Sequence, residues 1–309
     1  MTSKNKIITD ILGESYRSGG EMLFHCPYCK HHKKKMSVNI DKNVYKCWVC
    51  DTTGRNLRRI VRRFGSYKQL QQWDKLTQRV NINDFYNIFA EIPKEPEQTL
   101  ELPKDFISLA NKNLPRSAKK PLSYLKQRGV TKKDILKWKI GYCDAGPCSG
   151  RIVIPSFNER GYVNYYIARA YDDNWLRYKN PTASRDIVFN ELYVDWDSDI
   201  ILVEGAFDAI VAGNAIPLLG STLRDRSTLF QKIVENDAAV FLALDADAVK
   251  KENRIIRLLL KYGVELYKIN TDGYEDVGTM PKSVFLQRKE NATFIGQDDY
   301  LLAAALSSI

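Results

Sequence analysis

Several features that would narrow the function are absent or scarce in this 309-residue sequence. No apolar run approaches the roughly 18 residues of a membrane helix, and the first residues lead into no apolar signal region, so we expect no membrane partner and a cytoplasmic location. The Gly-x-x-x-x-Gly-Lys-Ser/Thr motif of nucleotide-hydrolysing motors is missing. Only six cysteines are present, and four of them lie in two Cys-x-x-Cys pairs, which favours metal thiolates in a reducing compartment over disulfides.

Most of the chain carries no net charge. Residues 1–70 hold 15 Lys/Arg and 5 Asp/Glu, whereas the remaining residues hold 32 of each, so the first quarter carries the whole net charge of +10. A basic module of this kind neutralises phosphates and releases counterions, which favours nucleic-acid binding. A solubilising surface accounts for the charge alone equally well.

The two Cys-x-x-Cys pairs are separated by 17 residues. This spacing is typical of a zinc ribbon with tetrahedral coordination, and the alternating residues 36–41 and 43–48 between the pairs predict two strands. His25, His31 and His32 allow a mixed site, but four thiolates at ribbon spacing make a Cys₄ site the preferred interpretation. Two unrelated pairs of buried thiols are the alternative, and Cys143 and Cys148 are interpreted as ordinary thiols. The predicted zinc ligands are Cys26, Cys29, Cys47 and Cys50.

A basic amphipathic helix is predicted directly after the ribbon. Its apolar positions Leu57, Ile60, Val61 and Phe64 follow helical spacing. The other face carries arginines without an interspersed acid, which suits the phosphates of single-stranded nucleic acid, with bases stacking on nearby aromatic rings. An ordinary solvated face is the alternative. The arginines are Arg55, Arg58, Arg59, Arg62 and Arg63.

Two apolar, β-favouring runs near the middle of the second half end abruptly in acidic residues. Residues 200–203 precede Glu204, and residues 240–244 precede Asp245 and Asp247. Parallel strands deliver their carboxyl ends to one edge of a sheet, so we expect these acids to converge there and to bind a cation. An ordinary ion-pair network is the alternative, although three adjacent carboxylates repel one another unless they are paired or metallated.

Five motifs occur in the order found in a known family. They are the Cys₄ ribbon, the hairpin from Arg151 to Arg169, the basic segment 177–181, the segment 203–208 and the segment 244–247. An acidic segment at 272–280 follows. Together these motifs resemble the DnaG-type bacterial primases and, in compactness, the primases of T4-like phages. The resemblance extends from about residue 20 to about residue 290.

The resemblance implies an α/β Toprim core, a small parallel sheet flanked by helices, with an α+β N-terminal subdomain and a preceding small β zinc-ribbon domain. The expected boundaries are a basic template-binding zinc-ribbon domain at 1–90, a Pro/Glu-rich linker at 91–104, the N-terminal subdomain of the RNA polymerase core at 105–195, the Toprim subdomain at 196–290 and a tail at 291–309. Within the core, strands are expected at 199–203, 239–244 and 264–269, and a helix at 248–262.

The resemblance also implies site residues. Mg²⁺, or Mn²⁺, would be held by Glu204, Asp245 and Asp247, with Asp208 and Asp276 as further acidic groups of the catalytic site. Nucleotide and template phosphates would lie on Arg151, Arg169, Arg177 and Lys179, in addition to the ribbon arginines Arg55, Arg58, Arg59 and Arg62.

The implied function is DNA primase, a DNA-directed RNA polymerase that makes short RNA primers by nucleotidyl transfer. Its expected partners are a single-stranded DNA template, ribonucleoside triphosphates and a separate replicative helicase, in the bacterial host cytoplasm if the chain is phage-encoded. Two alternatives stay open. One is a Toprim nuclease that uses the same acids, and the other is a non-catalytic zinc and Toprim DNA-binding recombination mediator, which would lack residues 105–195.

Overall fold

The computed structural model describes residues 3–77 and 98–296. The chain divides into two compact units, the first comprising Met1–Pro93 with Asp197–Asp199 and the second Lys94–Trp196 with Ile200–Ile309. In the described ranges, no helix is long and apolar enough to cross a membrane.

In its described residues, the first unit is a small antiparallel sheet with three helices. Its five strands run in the order β1-β2-β3-β4-β5, and the predicted ribbon strands appear as β3 and β4. The bounds are α1 Lys4–Leu12, β1 Tyr16–Ser18, β2 Glu21–Phe24, β3 Met36–Asn39, β4 Val44–Cys47, β5 Thr53–Gly54, α2 Arg58–Phe64 and α3 Tyr67–Leu76.

Apolar side chains from all parts of this unit share one core. Ile7 and Ile8 of α1, Phe24 of β2, and Ile60 and Val61 of α2 are fully buried in it. Ser66 caps α3 and forms a capping box with Gln69, which fixes where this helix begins. The sequence also predicts that helix continues through residues 66–90, of which residues 78–90 lie outside the described residues. The basic helix is thus packed against α1 and α3.

The second unit begins with an antiparallel sheet of four strands in the order β6-β7-β8-β9. The predicted hairpin is present, and Ile154 of β8 pairs with Ile167 of β9. Thr131 caps α5 through a capping box with Asp134, as its position before the helix predicts. The bounds are β6 Phe106–Ser108, α4 Lys119–Gln127, α5 Lys132–Lys137, β7 Gly141–Cys143, β8 Arg151–Phe157 and β9 Val163–Ala170, with a 3₁₀ turn at Arg116–Ala118.

A second sheet in this unit holds the predicted parallel strands. Its order is β11-β10-β12-β13-β14, in which β10 lies between β11 and β12, the first four strands are parallel and β14 is antiparallel. The bounds are β10 Ile200–Val203, α6 Ala206–Ala212, β11 Ala215–Pro217, α7 Thr228–Glu235, β12 Val240–Ala243, α8 Val249–Lys261, β13 Leu266–Lys268, α9 Lys282–Glu290 and β14 Thr293–Phe294, with 3₁₀ turns at Glu191–Tyr193 and Val277–Thr279.

A single apolar core joins the two sheets of the second unit. Ile152 and Ile154 of β8 share this core with Ile201 and Val203 of β10 and with Phe241 of β12. The side chains alternate along these strands, so one face of each sheet contributes to the common core. The antiparallel sheet therefore supports the strand ends that carry the acidic residues.

The described part of the predicted linker is bound to the second unit. The Leu100 amide donates to the Val163 carbonyl oxygen at 2.7 Å, and the Gln98 side chain donates to the carbonyl oxygens of Asn164 and Ser184 at 2.8 Å each. Residues 98–100 therefore lie along β9 rather than forming a free tether. Residues 91–97 of the predicted linker and residues 297–309 of the predicted tail lie outside the described residues.

Candidate active site and zinc centre

The four ribbon cysteines converge on one point. Their sulfur atoms all lie within 4.8 Å of one another, with 3.8 Å between Cys26 Sγ and Cys50 Sγ and 3.8 Å between Cys29 Sγ and Cys47 Sγ. A tetrahedron of Zn–S bonds of about 2.3 Å has S···S edges of about 3.8 Å. The predicted Cys₄ set therefore fits a structural zinc ion without a histidine ligand.

Tight turns after each cysteine pair aim the sulfurs inward. Lys30 and Asp51, which follow Cys29 and Cys50, both have left-handed backbones with φ of 51° and 54°. The Lys30 amide donates to the Cys26 carbonyl oxygen, which closes the first turn. Because Cys26 and Cys47 are buried in the core of the unit, metal binding and packing stabilise the same strands.

The aromatic residues of the ribbon divide into packing and exposed groups. Tyr45 is buried, and Tyr28 contacts both Tyr45 and the ring of Phe64. Trp48 is instead 62% exposed and has the Lys46 ammonium 4.6 Å from its ring centroid. Of these aromatics, Trp48 is the one whose ring face is open to a base.

The prediction of an open arginine face on α2 is wrong for two of its members. Arg58 is 1% exposed, and its Nε and Nη2 donate to the two carboxylate oxygens of Asp74 at 2.6 and 2.9 Å. Arg59 is 3% exposed and donates to the Asp197 carbonyl oxygen of the same unit. The reason is that α3 packs against α2 and supplies an acid that the helical pattern of α2 alone cannot reveal. Template binding by Arg55 and Arg62 stays a prediction.

The catalytic-site acids follow the carboxyl ends of two neighbouring parallel strands. Val203 of β10 pairs in register with Ala243 of β12, so Glu204 and Asp245 emerge at the same edge of the sheet. Burial raises the pKa of Asp245 to about 6, reinforced by the negative charges of Glu204, Asp276 and Asp247. The predicted acids therefore form one electrostatically coupled cluster.

Asp208 and Asp276 fix the backbone around this cluster. Asp208 is 6% exposed, and its oxygens accept from the amides of Gly205 at 2.7 Å and Gly278 at 2.8 Å. Burial, followed by the charge of Asp276, raises the pKa of Asp208 to about 7. Asp276 accepts from the Thr279 amide at 2.7 Å and so caps the turn that holds Gly278. Both acids thus connect the loop after β10 to the 3₁₀ turn Val277–Thr279.

The three predicted magnesium ligands do not form a closed ligand set in this geometry. In residues 3–77 and 98–296, the Cys₄ cluster is the one group of three or more His, Cys, Asp or Glu whose ligand atoms converge. Like charges repel, and the ammonium of Lys251 pairs with Glu204 Oε2 at 2.5 Å. Coordination by Glu204, Asp245 and Asp247 together therefore stays a prediction.

The donor atoms at the site nevertheless fit a hard divalent cation. Glu204 Oε1 and Asp245 Oδ1 are buried, and neither has a hydrogen-bond partner among the described residues. A buried carboxylate oxygen without a donor is costly, and a cation removes that cost. Mg²⁺ commonly uses one or two protein carboxylates and completes its shell with water and substrate phosphates, so two oxygens at one edge suffice.

Two predicted phosphate-binding arginines are largely engaged within the protein. Arg151 is 6% exposed and donates to the carbonyl oxygens of Ser149 and Leu176 at 2.8 and 3.1 Å, so it holds two loops together. Arg169 is 7% exposed and donates to the Tyr178 hydroxyl at 2.5 Å. Its guanidinium also lies 5.4 Å from the ring centroid of Phe207, within the segment that follows Glu204. Arg169 therefore places a positive charge next to this segment.

An exposed basic segment follows β9. The backbone of residues 177–179 pairs with β9 through the Ala170 amide to the Arg177 carbonyl oxygen and the Lys179 amide to the Ala168 carbonyl oxygen, both at 2.9 Å. Arg177 and Lys179 are exposed, and their predicted role in phosphate binding stays a prediction. Trp175 is 91% exposed beside them. Cations and an open indole together suit single-stranded nucleic acid.

Sequence reasoning missed Arg128 and Lys251. The Arg128 guanidinium lies 5.2 and 5.0 Å from the ring centroids of Tyr124 and Phe207, and its Nη1 is buried without a hydrogen-bond partner among the described residues. No local signal marks it, because arginine is ordinary at a helix C-terminus. The sequence does offer a signal for Lys251, because the helix dipole disfavours a lysine in the first turn of a helix.

Curated bacterial primases are similar to this chain over most of its length. No known protein-family profile matches. The DNA primase of Clostridium acetobutylicum is 24% identical over 98% of this chain and 59% of its own length. The DNA primase of Campylobacter jejuni is 22% identical over 78% of this chain and 47% of its own length. The chain thus spans about half the length of these relatives.

Solved primase cores share the fold of the chain. A DnaG primase catalytic domain bound to single-stranded DNA is similar with a TM-score of 0.52 and 18% identity, over 63% of this chain and 78% of that one. The Escherichia coli primase catalytic core gives 0.51 and 18% identity over 63% and 79%. The predicted fold is confirmed, and the chain is similar in sequence to bacterial DNA primases.

Proposed function

We propose that this chain is a DNA primase, which makes short RNA primers on single-stranded DNA by divalent-cation-dependent nucleotidyl transfer. The proposal rests mainly on the pair of neighbouring strand ends with Glu204 and Asp245, each of which has a buried oxygen without a donor in residues 3–77 and 98–296. This pair occurs in a chain with the fold of primase catalytic cores and sequence similarity to bacterial DNA primases. The similarity to phage primases is a finer proposal, since the relatives named above are bacterial.

Glu204 and Asp245 are the proposed ligands of the catalytic cation, and Asp247 lies close enough to add its charge. When bound, Mg²⁺ lowers the pKa of the attacking 3′-hydroxyl and stabilises charge on the transferring phosphate. Asp208 and Asp276 hold the loop that follows Glu204 against the 3₁₀ turn Val277–Thr279. Their proposed role is to keep Glu204 in place when a nucleotide enters.

Basic groups on the antiparallel sheet are proposed to hold the phosphates. The guanidinium groups of Arg169 and Arg128 both lie near the ring of Phe207, three residues after Glu204, and Arg128 has a buried nitrogen without a partner among the described residues. Arg177 and Lys179 are exposed on the segment beside β9. Arginine binds phosphate oxygens in a fixed geometry, which orients a triphosphate for in-line attack. Arg151 instead supports the loop by its bonds to carbonyl oxygens.

The zinc ribbon is proposed to engage the template. Its net positive charge attracts phosphates, and exposed Trp48 offers a stacking surface for a base. Arg55 and Arg62 remain the proposed template contacts of α2. A separate replicative helicase is the expected partner, because the sequence carries no P-loop motif for unwinding DNA.

The test is ribonucleotide incorporation on a random single-stranded DNA template with Mg²⁺. We expect radiolabelled oligoribonucleotides with the wild-type chain and a loss of at least about a hundredfold with Asp245→Ala, because removal of a principal electrostatic group at a reaction centre costs that order in rate. Tyr162→Ala, an exposed substitution at the turn of the β8–β9 hairpin, serves as the control and should retain synthesis.

The alternatives predict other products in the same assay. A nuclease degrades the DNA without ribonucleotides and yields no labelled RNA. A non-catalytic mediator binds the DNA and yields neither product. Either result contradicts the proposal, and so does full synthesis by the Asp245→Ala variant.

A further inference from the structure

One cation lies within the acidic cluster and has no assigned role. Lys251 Nζ is 2.5 Å from Glu204 Oε2, and both side chains are 19% exposed. Lys251 also partly offsets the negative charges around Asp245. Lys251 thus occupies one oxygen of a carboxylate whose other oxygen, Oε1, is a proposed ligand of the divalent cation.

The position of Lys251 opposes the preference of its own helix. Helix α8 begins at Val249, so Lys250 and Lys251 both lie in its first turn, where the helix dipole disfavours cations. Glu252, the acid of that turn, is engaged by Lys268 at 2.7 Å. The interaction that compensates Lys251 is therefore its contact with Glu204 across the end of the sheet.

Lys251 and a divalent cation compete for the negative charge of one carboxylate, because the ammonium pairs with Oε2 of Glu204 and the proposed ligand atom is Oε1. The pair leaves Glu204 Oε1 and Asp245 Oδ1 without donors, so one ammonium satisfies only part of the cluster. A divalent ion carries twice the charge and contacts several oxygens at once. The ion and the ammonium repel each other on the same carboxylate, so the presence of Lys251 should weaken binding of the ion.

We infer that Lys251 is the resident counter-cation of Glu204 and competes with the divalent metal ion for this carboxylate. The inference rests on the metal site of the proposed function. It predicts that Lys251 stabilises the metal-free site and raises the metal concentration at which the site fills.

The test is direct binding of Mn²⁺ to the full chain, measured by the electron paramagnetic resonance of free Mn²⁺ in the absence of nucleotide and DNA. Lys251→Met and Lys251→Gln should each bind Mn²⁺ about five- to tenfold more tightly than wild type, because a partly buried competing charge is removed. Lys251→Arg keeps the charge and should bind Mn²⁺ like wild type.

Lys250→Met is the matched control, because it removes the same charge from the adjacent, exposed position of the same turn. Screening by solvent and salt should limit its effect to less than about twofold. Equal effects of Lys250→Met and Lys251→Met would overturn the inference, since net charge alone would explain them. Weaker binding by both uncharged Lys251 variants would also overturn it, because Lys251 would then support the metal.

Asp245→Asn distinguishes failure of the inference from failure of the metal site. If Mn²⁺ binding to wild type is lost in Asp245→Asn, the metal site is present, and the Lys251 variants alone decide the competition. If wild-type Mn²⁺ binding is unaffected by both Asp245→Asn and Glu204→Gln, the proposed metal site is wrong and the inference is overturned with it.

Discussion

Individual carboxylates at the end of the parallel sheet have distinct roles. Asp208 is buried and accepts two backbone amides, whereas Glu204 and Asp245 each keep an oxygen without a donor. Asp208 therefore supports the loops, while Glu204 and Asp245 are available to a ligand. The hydrogen bonds of each side chain therefore distinguish the carboxylate that supports the loops from the two that can bind a ligand.

The raised pKa of Asp208 predicts a pH-dependent stability. The pKa rises from 3.8 to about 7 in the folded chain, so the folded state holds a proton that the unfolded state releases. The stability contribution of this proton is present below about pH 4 and is lost as the pH rises through about 7. The wild-type chain should therefore lose stability between pH 5 and pH 8 relative to Asp208→Ala.

Urea unfolding of both proteins at pH 5 and pH 8, without added divalent cation, measures this difference. Subtracting the free energy of unfolding of the variant from that of wild type removes the contributions of other titrating groups, including Asp245. If the free energy of unfolding of wild type minus that of Asp208→Ala stays constant or increases from pH 5 to pH 8, Asp208 does not hold the proton.

At the scale of single elements, short strands and turns position the four cysteines of the zinc centre. The zinc ligands lie in two turns joined by β3 and β4, and two of the cysteines are part of the core. Purified protein should contain about one zinc per chain, and Cys47→Ser should lose most of it, because structural zinc needs all four ligands.

Zinc content by atomic absorption measures this effect. Cys148→Ser is the control, because Cys148 is a buried thiol in a separate cluster with Cys143. Unchanged zinc in Cys47→Ser, or equal loss in Cys148→Ser, would contradict the Cys₄ assignment.

Helix α2 contains an arginine whose role is structural. Removing Arg58 leaves Asp74 without its bidentate partner, and loss of one member of a buried pair costs about 3 kcal/mol. Arg58→Met should therefore lower the free energy of unfolding by about that amount, measured in urea. Lys68→Gln, an exposed change on α3, should stay within about 0.5 kcal/mol.

The alternative for Arg58 is a phosphate contact. In that case Arg58→Met would keep the stability of wild type and reduce the salt dependence of single-stranded DNA binding, by about 0.7 in the logarithmic slope. This combination would restore the prediction of a template-binding arginine at this position.

The segment beside β9 is the most open surface of the candidate site. Trp175 is 91% exposed next to Arg177 and Lys179, and stacking of a base on an aromatic ring contributes about 1–3 kcal/mol. Trp175→Ala should weaken single-stranded DNA binding by that amount without changing its salt slope, measured by fluorescence anisotropy of labelled DNA.

Tyr162→Ala is the control for this substitution. Tyr162 is 60% exposed at the opposite end of β9, in the turn of the hairpin. Equal losses in Trp175→Ala and Tyr162→Ala, or a reduced salt slope in Trp175→Ala, would exclude specific stacking at this segment.

At the scale of the whole molecule, the sequence predicts those strands that have a distinctive pattern of apolar residues or cysteines. Apolar runs ending at Val203 and at residues 243–244 indicate buried parallel strands, and the spacing of the cysteine pairs indicates the ribbon. The short strand Ala215–Pro217 has too few residues to show a pattern, so it was missed. Local periodicity therefore accounts for the long elements and for the acids that follow them.

Contacts between distant residues could not be predicted from the pattern. Arg58 finds Asp74 on the next helix, and Lys251 finds Glu204 across 47 positions because β10 and β12 are neighbours. The sequence of residues 98–100 shows no strand pattern, yet their backbone pairs with β9. Each of these contacts depends on tertiary packing rather than on local composition.

The central claim is that the chain starts RNA chains on DNA without a pre-existing primer. The most direct test incubates it with single-stranded DNA, Mg²⁺, ribonucleotides and ATP labelled on the γ-phosphate. De novo synthesis keeps the γ-phosphate at the 5′ end of the first nucleotide, so we predict template-dependent labelled oligoribonucleotides that disappear with Asp245→Ala. Absence of γ-labelled RNA under conditions in which the chain binds the DNA and its metal ions would contradict the account.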